Sequence, residues 1–294
     1  MCIQFRIFIS TLALLTLSLI SCESELNAEI PSFLEIESFD YRGNLSESIP
    51  YSNQYKSINI SDAWVSMNGQ FIGCFEIPCK IPILNEGTNT FLISPGIKSS
   101  GQSANRIIYP YYVKDTLEID LQKDQSILIA PKTYYTNNLA NPQFNSQGNF
   151  ENSGGGTMFE IPETTNSNLN AVIQNEVVFQ GQNSAAIFLD SIHNYFKIRN
   201  NTFLDLKPGT FLEIDFMSSV NFNVGLSILS SANGNTDSTT IQLYATDKWK
   251  KIYIDLSNEI ALGNSFSKYK IFFSGSSNKH DTIYLDNLRL SYTL

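Results

Sequence analysis

Short runs in which apolar and polar residues alternate dominate this sequence. In FLEIESFDY, residues 33–41, Leu34 and Ile36 alternate with Glu35 and Glu37. Side chains two residues apart lie on the same face of a strand, so this run predicts a strand with one face in water. No segment stands out with the sustained 3.6-residue period of an amphipathic helix. The pattern therefore predicts an all-β protein.

The clearest turn signal lies in the segment INISDAWVSMNGQFIGCFEIP, residues 58–78. Asn68 and Gly69 separate two apolar-rich runs, and both residue types tolerate the positive φ angles of a type I′ turn. We predict a β-hairpin here, with Trp64 in the core. Together with the alternating runs on either side, the hairpin predicts a small β-sandwich domain over residues 32–135.

Residues 58–94 resemble the small β domains of the PEGA type. The resemblance rests on the Asn68-Gly69 turn, on the FIG segment of the next strand, and on IPILNEGTNTFLIS with its proline and glycine turns. Such domains are common in bacterial surface proteins as structural or adhesive modules. The resemblance therefore implies a structural role and no chemistry.

The second half of the chain repeats the strand pattern. Residues 136–157 are rich in Asn, Gln and Gly without an apolar period, which predicts a linker or a long crossing loop. Short alternating runs then begin at Ala171, Ser184, Phe211, Phe222, Thr239, Trp249, Lys268 and Thr282. Their spacing predicts a C-terminal jelly-roll β-sandwich over residues 158–294.

Three segments resemble the galactose-binding-like jelly roll of many carbohydrate-binding modules: VFQGQNSAAIFL from Val178, WKKIYIDL from Trp249 and IYLDNLRL from Ile283. In that family a Trp opens a strand, and a closing strand carries an Asp-Asn pair, here Asp286 and Asn287. The resemblance covers about residues 140–294 and implies a carbohydrate-binding module.

The same resemblance implies a structural calcium ion near the first and last strands. Asp286 and Glu160 are the candidate ligands. Calcium needs six to eight oxygen ligands, so the alternative is that both side chains are solvated carboxylates.

Alternation also assigns the faces of the predicted jelly-roll sheets. Leu212, Ile214 and Ile254 share the core face with other apolar residues, and the opposite face carries rings, amides and carboxylates. A sugar packs its C–H face on a ring, while its hydroxyls need directed donors and acceptors. The candidate glycan-binding residues are Glu213, Gln242, Tyr244, Tyr253 and Tyr284. The alternative is a solvated sheet face that the tyrosines simply cover.

The start of the chain predicts an export signal over residues 1–21. Arg6 precedes an apolar stretch, residues 7–20, that is shorter than the roughly 20 residues of a membrane-spanning helix. The sequence LISC that ends at Cys22 resembles the bacterial lipobox. This resemblance implies that Cys22 carries diacylglycerol and further acyl chains such as palmitate, and the alternative is an ordinary cleaved signal.

Residues 22–31 would then form a lipidated tether that holds the protein to a membrane. Glu23 and Glu25 resemble the acidic export tags of Gram-negative surface lipoproteins. The expected location is the outer membrane, with the folded part facing the cell exterior.

Charge and motif content limit the function classes. The chain has 28 acidic and 19 basic residues and a formal net charge of −9, so no nucleic-acid partner is expected. It contains no GxSxG, no HExxH and no phosphate-binding glycine loop. Glu213 and Asp215 could form a glycosidase pair, but they lie on one predicted strand, whereas the acid and the nucleophile usually come from different elements. We predict a non-enzymatic protein without a cofactor other than the candidate calcium.

Cys74 and Cys79 leave two alternatives open. Five residues of straight strand would separate them by about 16 Å, too far for a disulfide, so a bond requires the chain to turn between them. The other alternative is two free buried thiols. A metal site is not indicated, because the chain offers only His193 and His280 as further ligands of the kind that zinc prefers.

A short motif, Asp followed by Ser or Thr and then by an apolar residue or Thr, occurs four times. It resembles the O-glycosylation motif of some Gram-negative envelopes. The acceptors would be Thr116, Ser191, Ser238 and Thr282.

Two functional hypotheses follow. In the first, a lipid-anchored, non-enzymatic surface protein uses its jelly roll to bind a glycan or an envelope protein. In the second, the chain is a structural or assembly subunit of an outer-membrane protein complex and binds no glycan.

Overall fold

The computed structural model describes residues 29–44, 57–136, 144, 147–151, 156–163, 165–230 and 234–292. Nearly all regular structure in these residues is β-strand, and the predicted all-β fold is confirmed. The predicted export signal and Cys22 lie outside the described residues. Within those residues, no helix has the length and apolar character needed to span a bilayer.

Among the described residues, ten strands form the N-terminal domain. They are β1 (Ser32–Ile36), β2 (Asp40–Asn44), β3 (Asp62–Met67), β4 (Gln70–Glu76), β5 (Cys79–Ile83), β6 (Gly87–Lys98), β7 (Arg106–Ile108), β8 (Asp115–Leu121), β9 (Ser126–Ile129) and β10 (Lys132–Tyr135). One sheet has the order β5-β1-β9, and the second has the order β4-β3-β6-β7 with β8 also paired to β6. Strands β10 and β2 form a separate pair.

The predicted hairpin is confirmed, and its turn geometry explains the residues found there. Asn68 and Gly69 connect β3 to β4 with φ angles of 51° and 81°, the left-handed values that a type I′ turn requires. The prediction for Trp64 is wrong. Ala63 and Val65 point into the core, and alternation puts Trp64 on the opposite face, where its ring packs against Phe71 at 5.7 Å.

Ten further strands and one short helix form the described part of the jelly roll. They are β11 (Phe159–Glu160), β12 (Val172–Gln174), β13 (Ser184–Leu189), β14 (Tyr195–Asn200), β15 (Phe211–Ser218), β16 (Phe222–Ser230), β17 (Gly234–Leu243), β18 (Thr246–Asp255), α1 (Ser257–Ile260), β19 (Lys268–Ser276) and β20 (Asp281–Ser291). The two five-stranded sheets have the orders β11-β14-β19-β16-β17 and β12-β13-β20-β15-β18. The core between them contains the predicted Leu212, Ile214 and Ile254.

The structure adds two elements to the predicted jelly roll. Strand β14 pairs with β19 and β11, although none of the alternating runs that predicted the jelly roll covers it. Phe144 and Phe150, which lie in the predicted linker, are buried in the jelly-roll core. The Leu288 N–H donates to the Gly148 carbonyl at 2.8 Å, so this part of the 136–157 segment belongs to the sandwich.

The N-terminal domain covers part of the outer face of the β12-β13-β20-β15-β18 sheet. An aromatic cluster fills the contact, with Tyr109, Tyr111 and Tyr112 from one domain against Phe211 and Tyr253 from the other. Backbone pairing continues across it, because the Ser100 N–H donates to the Tyr253 carbonyl at 2.7 Å. This contact decides which part of the predicted sugar-binding face remains open.

Candidate functional site

A β-bulge in the last strand sets the positions of its outward-facing polar side chains. In the β15-β20 ladder, Glu213 pairs with Arg289 and Asp215 pairs with Asp286, so β20 contains one more residue than β15 between these pairs. Asn287, with a φ of 48°, takes up the left-handed conformation at this place. The bulge therefore returns Arg289 to the face on which Asp286 lies.

Glu213 is the centre of a buried polar network between the two domains. It accepts hydrogen bonds from the hydroxyls of Tyr109 (2.7 Å), Tyr135 and Ser291 (2.6 Å). The Glu213 carboxylate also forms an ion pair with Lys251, whose Nζ lies 3.1 Å away. Glu213 and the two tyrosines are almost completely inaccessible to solvent.

The electrostatics of this network keep each group in one protonation state. Burial alone would raise the pKa of Glu213, but the Lys251 and Arg289 cations and the hydroxyl donors hold it below its ordinary value. Burial and the Glu213 charge raise the pKa values of Tyr109, Tyr135 and Tyr253 well above their ordinary value. The tyrosines therefore remain hydrogen-bond donors, and the carboxylate remains an acceptor.

The five predicted glycan-binding residues do not form one accessible face. Glu213 and Tyr253 lie on the predicted face, but the N-terminal domain buries both, so the prediction that they are open to a sugar is wrong. The Tyr253 hydroxyl is already bonded to the Tyr112 hydroxyl (2.8 Å) and accepts the Asn59 N–H (2.9 Å). Gln242 lies on β17 and Tyr244 directly follows it, in the opposite sheet, so the prediction that they share a face with Glu213 is wrong. Tyr284 is half-buried on the predicted face and lines a different groove from these two.

The uncovered part of the same sheet face contains a row of three aromatic rings, which we call the ring patch: Phe179, Trp249 and Tyr284. The Phe179 and Trp249 ring centroids are 5.6 Å apart, and those of Trp249 and Tyr284 are 6.4 Å apart. Phe179 is 41% exposed, and the other two side chains are half-buried. Phe188 on β13, 50% exposed, extends the apolar surface beside Thr282.

A groove of about 670 Å³ begins at the Tyr284 end of the ring patch. Thr246, Asp247, His280 and Thr282 contribute polar side chains to its lining. An apolar platform next to hydroxyl, carboxylate and imidazole groups is the combination that a sugar ring requires.

Asp286 lies beneath the ring patch and holds the loop that carries Phe179. Its carboxylate accepts the backbone N–H groups of Gln180 (3.1 Å) and Asn287 (2.8 Å). Burial, and to a smaller extent the charge of Asp215, raise the pKa of Asp286 to about 7, although the backbone donors act in the opposite direction.

A second groove, which we call the interdomain groove, has a volume of about 720 Å³ and lies between the N-terminal domain and the free edge of the jelly roll. Lys98, Gln102 and Ser103 line one wall, and Gln242, Tyr244 and Lys250 line the other. Tyr244 is 70% exposed at this position.

The two calcium candidates do not come together. Glu160 lies on β11 and Asp286 on β20, which belong to opposite sheets. The Glu160 carboxylate pairs with Arg199 (2.7 Å) and Lys270 (2.6 Å), which leaves it neutralised by cations of the chain itself. Across the described residues, no group of three or more His, Cys, Asp or Glu side chains could hold a metal ion.

Cys74 and Cys79 are free thiols, the second of the two alternatives, and burial raises the pKa of each.

Of the four glycosylation candidates, Thr116 and Ser191 are exposed, whereas Ser238 and Thr282 are half-buried within strands. All four remain predictions.

Phe179 and Trp249 were missed as site residues. Trp249 shares the strand parity of Tyr253, so alternation could have put it in the same candidate set. Phe179 has no such signal, because it lies between β12 and β13 in a segment whose Gln180 N–H donates to Asp286, far away in the sequence.

No family profile and no curated protein matches the sequence. Among solved structures, the chain is similar to a carbohydrate-binding module described in a study of promiscuous specificity in the β-sandwich superfamily, with 12% identity, a TM-score of 0.39 and coverage of 79% of this chain and 85% of that one. It is also similar to a family 61 carbohydrate-binding module in complex with β-1,4-galactotriose, with 14% identity, a TM-score of 0.35 and coverage of 51% and 98%. A family 30 carbohydrate-binding module shows 13% identity, a TM-score of 0.36 and coverage of 47% and 79%. The likeness is one of β-sandwich fold.

Proposed function

We propose that this protein is a non-catalytic, lipid-anchored protein of the bacterial cell envelope whose jelly roll binds a glycan. The observation that carries the binding proposal is the ring patch, which occupies the part of the sheet face that the N-terminal domain leaves open. A pyranose stacked on Trp249 would direct its hydroxyls toward Thr246, Asp247 and His280 in the adjoining groove.

The two partly exposed rings give a direct test. Phe179→Ala and Trp249→Ala each remove one stacking surface, and a ring contact worth about 1.4 kcal/mol corresponds to a tenfold change in affinity. The purified full-length chain in detergent is screened on a glycan array, and the best ligand is titrated by calorimetry. Both variants should bind that ligand at least about tenfold more weakly.

Phe266→Ala is the matched control, because Phe266 is an 81% exposed ring in the same domain and lies after α1, outside the ring patch. Equal binding by the wild type and the two ring-patch variants would refute the proposed site. Absence of any glycan ligand, combined with capture of an envelope protein, would favour the assembly-subunit hypothesis instead.

The anchor is tested separately, on the native protein. Mass spectrometry of its N-terminal peptide should show that residues 1–21 have been removed and that Cys22 carries diacylglycerol and acyl chains. Cys22→Ala should move the protein from the membrane fraction to the soluble fraction, since several acyl chains anchor a protein that a single chain holds only marginally. A native protein that keeps its first 21 residues would contradict the lipoprotein proposal and leave the glycan proposal standing.

A further inference from the structure

The interdomain groove exists only because the two domains are docked. Its N-terminal wall is the turn of residues 98–103, which is fixed against β18 through the Ser100 N–H and the Tyr253 carbonyl. Gly101 has a φ of 68° and approaches Ile252 so closely that a Cβ at this position would lie 3.2 Å from the Ile252 side chain. The turn therefore closes one side of the groove with a fixed geometry.

The groove combines an apolar floor with polar walls. Phe216, Leu243 and Ile252 form the floor, where the core meets the edge of the sandwich. The walls present the amides of Gln102 and Gln242 and the hydroxyl of Ser103. A volume of about 720 Å³ lies within the range of small-molecule sites and suits a short saccharide with apolar faces and polar edges.

The charges in the groove have one sign. Its lining includes Lys98, Lys250 and Lys251, and among the described residues that line it there is no aspartate or glutamate. Glu76 pairs with Lys98 at 2.7 Å, and Glu213 pairs with Lys251 at 3.1 Å. Lys250 is exposed, and none of the described carboxylates forms an ion pair with it. On a chain with a net charge of −9, this leaves an uncompensated cation at the mouth of the groove.

We propose that the interdomain groove is a second binding site, distinct from the ring patch, which takes a saccharide that carries a carboxylate. The sugar ring packs on Ile252 and Tyr244, its hydroxyls bond to Gln102 and Gln242, and its carboxylate pairs with Lys250. The N-terminal domain is therefore part of a recognition site and not only a support for the jelly roll.

The test compares an acidic and a neutral probe of equal length, trigalacturonate and α-1,4-galactotriose, by calorimetry on the full-length chain in detergent. Wild-type protein should bind the acidic probe, and binding should weaken as salt is added. Lys250→Gln should weaken it about tenfold, because a hydrogen bond to a charged group is lost. Lys248→Gln is the control, since it removes an equal charge from an exposed position two residues away on β18.

Lys250 also borders the groove beside Tyr284, so a second pair of variants separates the two sites. Gln102→Ala, on the N-terminal domain, should weaken binding of trigalacturonate, and Trp249→Ala should leave it unchanged. The proposal is overturned if wild-type protein does not prefer trigalacturonate, if Lys250→Gln and Lys248→Gln behave alike, or if Trp249→Ala abolishes binding of the acidic probe. Failure of the ring patch to bind any glycan would leave these outcomes unaffected.

Discussion

Asp286 offers the sharpest quantitative prediction, because its carboxyl group is completely buried and its pKa is raised from 3.8 to about 7. The folded protein binds this proton more tightly than the unfolded chain does. The stability that the protonated group contributes is therefore fully present below about pH 4 and is lost as the pH rises through 7. A shift of about three pH units corresponds to roughly 4 kcal/mol between pH 4 and pH 8.

Asp286→Asn removes this ionisation while it keeps the size of the side chain. The amide oxygen can still accept the Gln180 or the Asn287 N–H, but its own NH₂ group is buried, which costs about 1–3 kcal/mol at any pH if it finds no partner. At pH 5 the free energy of unfolding of the variant should be equal to that of the wild type or lower. Between pH 5 and pH 8 the difference between variant and wild type should move in favour of the variant by roughly 2–3 kcal/mol, because part of the shift has already occurred by pH 5.

Urea unfolding followed by tryptophan fluorescence measures the free energy of unfolding of the wild type and of Asp286→Asn, each at pH 5 and at pH 8. Asp247→Asn is the control, since it removes a carboxylate from an exposed position of the same sheet. The reasoning is refuted if the stability difference between Asp286→Asn and the wild type is the same at both pH values.

Three further predictions concern stability and thiol chemistry. Glu213→Ala should destabilise the protein by about 3–5 kcal/mol in urea unfolding, because Lys251 then remains buried without its partner, and Glu213→Gln should cost less because it keeps acceptor capacity for the tyrosines. Gly96→Ala should cost about 1–3 kcal/mol by the same measurement, because its Cβ would lie 2.7 Å from the Trp64 ring, whereas Gly156→Ala, at a position with open space, should cost much less. Cys74 and Cys79 should both react with a thiol reagent in urea without prior reduction, and a mass two protons lighter than the free-thiol form would contradict this.

Sequence periodicity identified most of the strands and, in β15, the direction in which the side chains point. Leu212 and Ile214 are buried in the core, and Glu213 lies on the opposite face, as alternation predicts. The turn at Asn68 and Gly69 was equally readable, because the required φ angles restrict the residue types.

Periodicity could not predict that the N-terminal domain covers the sheet face on which Glu213 lies. A polar face looks the same in sequence whether it meets water or the tyrosines of another domain, so Glu213 and Tyr253 were assigned to a surface that is in fact covered. The ring patch was hidden for a related reason, because Phe179 reaches Trp249 through a turn whose position depends on a hydrogen bond to Asp286. Contacts between residues so far apart in the chain leave no periodic signal.

The buried network around Glu213 also bears on how this architecture could be recombined. Cutting the chain between the two sandwiches would place Lys251, Arg289 and Tyr253 on a new surface and would remove the Tyr109 and Tyr135 hydroxyls that donate to the Glu213 carboxylate. Neither half could then be transferred to another protein as an independent domain. A fusion of the jelly roll to another scaffold would have to replace all of these buried side chains together.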